Sequence, residues 1–77
     1  MISAPLGTTV AMNVRSYRAL RDVNGSQLAE RMRERGFSWS QATVSRIEHG
    51  TRYLTVDELD ALADILVVPV TDFLVER

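Results

Sequence analysis

Residues 40–50 read S-Q-A-T-V-S-R-I-E-H-G, and the spacing predicts one short helix over 40–49. Val44 and Ile47 are three apart and share a face that can be buried. Gln41, Ala42, Ser45 and Arg46 lie away from that face. Ser40 is placed to act as N-cap, accepting a hydrogen bond from an orphan N–H of the first turn. Gly50 suits the left-handed position just past the end. So short a helix is marginal alone, and neighbouring elements must hold it. Its outward side chains are small or hydrogen-bonding, with one arginine, a composition that suits a surface lowered into a DNA groove.

The chain flanking this stretch is that of a single small domain. Seventy-seven residues lie near the lower limit for a self-sufficient core. With no cysteine and a single histidine, neither a disulfide framework nor a structural metal site is expected. No apolar run approaches the roughly 18 residues needed to span a bilayer. The opening M-I-S-A-P-L-G lacks the basic and apolar regions of a signal peptide. The expected location is therefore the cytoplasm, associated with the nucleoid when the chain is bound to DNA.

The net charge is −1, but its distribution is uneven. Residues 15–52 hold eight arginines against four acidic residues, a net +4, whereas residues 53–77 hold one arginine against six, a net −5. A basic front and an acidic back follow. All nine basic residues are arginine. GC-rich codon usage is the plain reading of that, while the planar guanidinium also suits phosphate and guanine.

Working outward, residues 1–8 contain Pro5 and Gly7 without periodicity and are expected to form an extended or frayed lead, leaving 9–77 as the folded domain. Thr8 or Thr9 is a candidate cap for a first helix over about 9–22, with Val10, Val14, Tyr17 and Leu20 or Arg21 at helical spacing. Asn24 with Gln27 resembles a capping box and predicts a second helix to about Arg35, burying Leu28, Ala29 and Met32. Its R-M-R-E-R run (31–35) reads as a solvated face or as a flank for the DNA backbone. Gly36 is a natural C′ residue. Phe37 and Trp39 are expected to plug the gap before Ser40, and for Trp39 an exposed contact with DNA or a partner is the alternative reading. Thr55 with Glu58 predicts a second capping box. It opens a helix over about 56–66 that buries Val56, Leu59, Leu62, Ala63 and Leu66, with Asp57, Asp60 and Asp64 outward. Pro69 ends it, and a last turn or two over 70–75 carries Phe73 and Leu74. The expectation is an all-α, compact five-helix bundle.

Four pieces in this order, V-R-S-Y-R-A-L-R (14–21), Q-L-A-E-R-M (27–32), the 40–50 stretch and T-V-D-E-L-D-A-L-A-D-I-L-V-V-P-V-T-D-F-L (55–74), resemble the phage-repressor and Cro-like helix-turn-helix family. The resemblance covers about residues 10–75. It implies a lambda-repressor-like fold, double-stranded DNA as partner, and base reading by Gln41, Ala42 and Arg46 with Thr43 and Ser45 nearby. The side-chain chemistry agrees: Gln pairs with adenine N6/N7, Arg with guanine O6/N7, and a methyl meets that of thymine. The family also implies a structural ion pair between Arg18 and Glu48. For the DNA backbone the candidates are Gly25, Ser26, Gln27, Trp39, Ser40, His49, Thr51, Arg52 and Tyr53. The amides of Gly25 and Ser26 lie at a helix N-terminus, Arg52 follows the reading helix, and His49 suits the helix dipole.

Three features depart from the family. The spacer E-R-G-F-S-W (34–39) is longer than the short turn of the phage repressors, Gly25 stands where a glutamine is frequent, and Val67 where a glycine is common. The leading expectation is a small transcriptional repressor that binds its operator as a homodimer, with Val70, Phe73, Leu74 and Val75 as the candidate dimer surface. No cofactor or small-molecule ligand is expected. The alternative is a protein-interaction module on the same fold, antitoxin-like or antirepressor-like. An enzyme is not expected, because no nucleophile, base or phosphate loop is placed to act together.

Overall fold

The computed structural model describes residues 6–75. Four α-helices follow one another: α1 (Leu6–Leu20), α2 (Gly25–Glu34), α3 (Gln41–Glu48) and α4 (Val56–Leu66). A 3-10 helix (Val70–Leu74) closes the described chain, and there is no strand among the described residues. The expected fifth helix is thus a tight 3-10 turn. Pro69 opens it without a side-chain cap, and Asn13 of α1 holds its end. The buried Asn13 amide donates to the carbonyls of Phe73 (2.8 Å) and Val75 (2.9 Å), with a longer contact to that of Asp72 (3.3 Å).

The lead expected over 1–8 falls partly on residues 1–5, outside the described residues. Gly7 and Thr8 already belong to α1. Thr9, a candidate cap, lies inside that helix and is buried. Gly7 lies beneath the Tyr53 ring, which a β-carbon there would strike. At the other end Leu20 is exposed, while Arg21 donates to the carbonyls of Leu66 (2.8 Å) and Val67 (3.1 Å). Arg21 therefore serves the orphan carbonyls at the end of α4.

The middle helices follow their caps. Asn24 and Gln27 exchange hydrogen bonds at the start of α2, and Thr55 and Glu58 do the same at the start of α4. Gly36 (φ 92°) and Gly50 (φ 76°) take the left-handed positions after α2 and α3, where a glycine carries no steric penalty. The corresponding positions after α1 and α4 are held by Asp22 (φ 56°) and Val67 (φ 57°). The end of α4 is thus made without the family's glycine.

The core gathers Val14 and Tyr17 of α1, Leu28 and Met32 of α2, Val44 and Ile47 of α3, and Leu62 and Leu66 of α4. Phe73 is fully buried and meets Tyr17 edge-on at 5.4 Å. It is therefore a core residue and not part of a dimer surface, because the 3-10 turn folds it inward. Val56, expected in the core, is 83% exposed. It is the first residue of α4, ahead of the turn that meets the core, and Ala61 is buried instead. No helix among the described residues is long and apolar enough to cross a membrane.

Candidate nucleic-acid interface

Helix α3 buries Val44 and Ile47, both 2% exposed, and turns Gln41, Ala42, Ser45 and Arg46 to solvent. Arg46 makes no ion pair among the described residues. Gln41 accepts a hydrogen bond from the Ser26 hydroxyl through its side-chain oxygen (3.1 Å). That contact ties the start of α3 to the start of α2 and leaves the Gln41 amide N–H groups to bind elsewhere. Thr43 behaves differently from the base-reading role implied for it. It is buried, and its hydroxyl accepts from the Ser40 N–H (3.1 Å) while its own N–H donates to the Ser40 hydroxyl (3.3 Å). A capping box holds Thr43 and Ser40 to each other, which removes Thr43 from the reading face.

Arg18 joins α1 to the end of α3. Its Nε and Nη2 donate to the two oxygens of Glu48 at 2.7 and 2.9 Å, and Nη1 donates to the Val23 carbonyl at 3.1 Å. Hydrogen bonding to Glu48 raises the Arg18 pKa, against a smaller opposing effect of burial. A groove between α1, α2 and α3 is lined by Arg15, Gly25, Gln41, Ser45 and His49 above this pair. Arg15 is exposed and is a functional candidate that sequence reasoning missed. It lies in the 14–21 stretch, but nothing in its spacing marks a role, and only the fold brings it beside Gln41.

The backbone candidates separate into groups. Gly25 and Ser26 supply the orphan donors of the first turn of α2. Gln27 is exposed, but its N–H and its side-chain oxygen are both used by Asn24. Thr51 closes α3, with its N–H (2.9 Å) and hydroxyl (3.1 Å) both donating to the Arg46 carbonyl. His49 donates from Nδ1 to the Ser45 carbonyl at 2.7 Å, which leaves Nε2 outward. Tyr53 is 77% exposed.

Trp39 and Arg52 are not independent contacts. The Trp39 ring is buried, and its indole N–H donates to Glu58 at 2.7 Å, so the exposed reading of Trp39 is corrected. Arg52 donates to both oxygens of Glu58, at 3.2 and 2.8 Å. Its guanidinium carbon lies 5.7 Å from the centre of the Trp39 ring. Burial by itself would raise the Glu58 pKa. Hydrogen bonds from Arg52, the Thr55 N–H and Trp39, with the charge of Arg52, outweigh that and lower it from 4.5 to about 2.

Comparison with known proteins places this geometry. Residues 10–73 match the family model described as a helix-turn-helix domain. No curated protein matches the chain. Two solved structures are similar. One is described as the structure of the S. venezulae BldD DNA-binding domain, with 26% identity, coverage of 94% of this chain and 100% of that one, and a TM-score of 0.75. The other is the crystal structure of the DNA-binding domain of BldD, with 27% identity, coverage of 96% and 100%, and a TM-score of 0.76. With the family model spanning most of the chain, this chain belongs to the helix-turn-helix domain family.

Proposed function

We propose that the chain is a sequence-specific double-stranded DNA-binding transcriptional regulator, a small repressor acting as a dimer in the cytoplasm, with α3 in the major groove. One observation carries the reading. Gln41 and Arg46 stand exposed on a helix whose other face is buried and whose cap is complete, and Arg46 has no ion pair among the described residues. The similarity to two DNA-binding domains supports it.

Gln41 and Arg46 read base edges, Ala42 offers a methyl, and Ser45 adds a small hydroxyl at the edge of the contact. Gly25 and Ser26 offer amides to a phosphate at the start of α2, and Arg15 and His49 flank the groove. With Phe73 assigned to the core and Val70 partly buried against it, Leu74 and Val75, 40% and 54% exposed, are the most open part of the proposed dimer surface. A two-fold dimer would need half-sites about 34–36 Å apart.

Selection from a random duplex pool, followed by fluorescence anisotropy on the selected duplex, tests this reading. The expected result is an enriched palindrome whose affinity falls steeply with salt as counterions are released. Replacing Gln41 or Arg46 by alanine should each weaken binding by roughly 5- to 150-fold, the equivalent of one bidentate pair. A pool without enrichment and a flat salt titration would overturn the proposal.

A further inference from the structure

The carboxylate of Glu58 sits where three segments meet. It accepts from the Trp39 indole (2.7 Å), from both terminal nitrogens of Arg52 (3.2 and 2.8 Å) and from the Thr55 N–H (2.9 Å). Trp39 immediately precedes the N-cap of α3, and Arg52 lies two residues past the glycine that ends it. Glu58 itself belongs to the first turn of α4. One carboxylate on a neighbouring helix therefore holds the chain on both sides of the eight-residue α3.

We propose that Glu58 is a positioning residue for DNA reading, closing through Trp39 and Arg52 a clamp across both ends of α3 that sets the pose of Gln41 and Arg46. This rests on the DNA-binding reading of α3. A helix of two turns does not hold its own direction. The Val44 and Ile47 contacts seat one face, and Arg18 fixes the Glu48 end from α1. Neither fixes the lead-in at Trp39, which the long spacer leaves far from any cap of α2. The clamp does so, and Arg33 of α2 adds a hydrogen bond to the Trp39 carbonyl at 2.8 Å. The network is fully satisfied: no buried side-chain nitrogen or oxygen among the described residues lacks a partner. A buried carboxylate with this many donors has one low-energy arrangement and transmits a shift of either end to the other. In this role Arg52 acts through Glu58, with its charge already partnered.

Glu58→Gln removes the charge and keeps an oxygen for the indole, while Trp39→Phe removes the indole donor, together with part of the buried ring, and leaves the Glu58 charge in place. Both are compared with the parent chain at 10 °C, with folding verified by urea titration. Hydrogen exchange is read first. The expected result for Glu58→Gln is faster exchange at both ends of α3, around Thr43 and Val44 and around Gly50 and Thr51, with Val14 and Tyr17 of α1 unchanged. Trp39→Phe should loosen the leading end more than the trailing one.

Affinity is read second, for the selected duplex and for a scrambled duplex. Glu58→Gln should lower the ratio of the two by about tenfold and leave scrambled-duplex affinity within about threefold, the change in net charge acting only through screened electrostatics. A role limited to stability would lower both affinities by one common factor, the folded fraction, and leave the ratio unchanged. Unchanged exchange at either end of α3 overturns the clamp. Faster exchange with an unchanged ratio overturns the positioning role. A parent chain that discriminates between no duplexes overturns the DNA reading and the positioning role with it, while the exchange data still decide the clamp.

Discussion

Two arginine–glutamate pairs flank α3, and they are built in opposite senses. In Arg18–Glu48 the arginine is the hub. Its three bonds reach the two Glu48 oxygens and the Val23 carbonyl, so it joins α3 to α1 and to the turn before α2. In Arg52–Glu58 the carboxylate is the hub, collecting Arg52, Trp39 and Thr55. The glutamates are similarly enclosed, with 9% and 7% of their side chains exposed, while the arginines are 21% and 36% exposed. The same pair of residue types therefore has its critical member on opposite sides. Removing Glu58 strands a buried indole donor as well as a guanidinium, whereas removing Arg18 strands the Glu48 carboxylate and the Val23 carbonyl.

The largest expected effect comes from breaking the second hub. Glu58→Ala should destabilise the domain by about 3–5 kcal/mol at pH 7, the usual result of removing one partner of a buried pair, as measured by urea denaturation. The same pair should show itself in acid. The folded pKa of about 2 lies below the ordinary 4.5, so its contribution is complete above pH 4.5 and is lost as pH falls through about 2. That acid limb, worth about 3 kcal/mol, should be missing from the variant. Equal stability loss at pH 7 and pH 2 would contradict this account.

Arg18→Ala should come second, at about 2–3 kcal/mol, below the range for fully buried pairs because water reaches the guanidinium. If it costs more than Glu58→Ala, the ordering of the two hubs is reversed. Val67→Gly should act in the other direction. A left-handed conformation costs a residue with a β-carbon about 1–2 kcal/mol. Glycine gives back part of that in chain entropy, for a net gain of about 1 kcal/mol and a Tm rise of about 4–8 °C. The smallest effect belongs to a third pair, Arg35–Asp64, whose side chains are 42% and 70% exposed. Arg35→Ala should change stability by under about 0.5 kcal/mol, and a larger loss would show that exposure is a poor guide to these pairs.

Local chemistry was legible in the sequence where partners are a few residues apart. The Asn24–Gln27 and Thr55–Glu58 boxes, the stops at Gly36 and Gly50, and the buried faces of α2 and α3 all follow from spacing. Roles that depend on the assembled fold were not. Glu58 already had a local explanation as half of a capping box, and that hid its bonds to Trp39, 19 residues away, and to Arg52. Thr43 was placed near the base-reading residues by the resemblance alone, and its part in a box was not read because threonine is a less familiar residue at N3 than glutamate or glutamine. Phe73 looked like spare apolar surface because Asn13, about 60 positions earlier, is what turns the segment inward. Arg15 joined the candidate site only when α1 was laid beside α3.

Val67 has a further consequence for retargeting the domain. Side chains on the outer face of α3 are the ones proposed to read DNA, and so the ones to exchange for a different sequence, and new combinations there can lower stability. A small domain tolerates few such losses. Val67 is 73% exposed and takes no part in the candidate interface. Relaxing its backbone would widen the set of reading-face sequences that still fold, without altering any atom proposed to meet DNA.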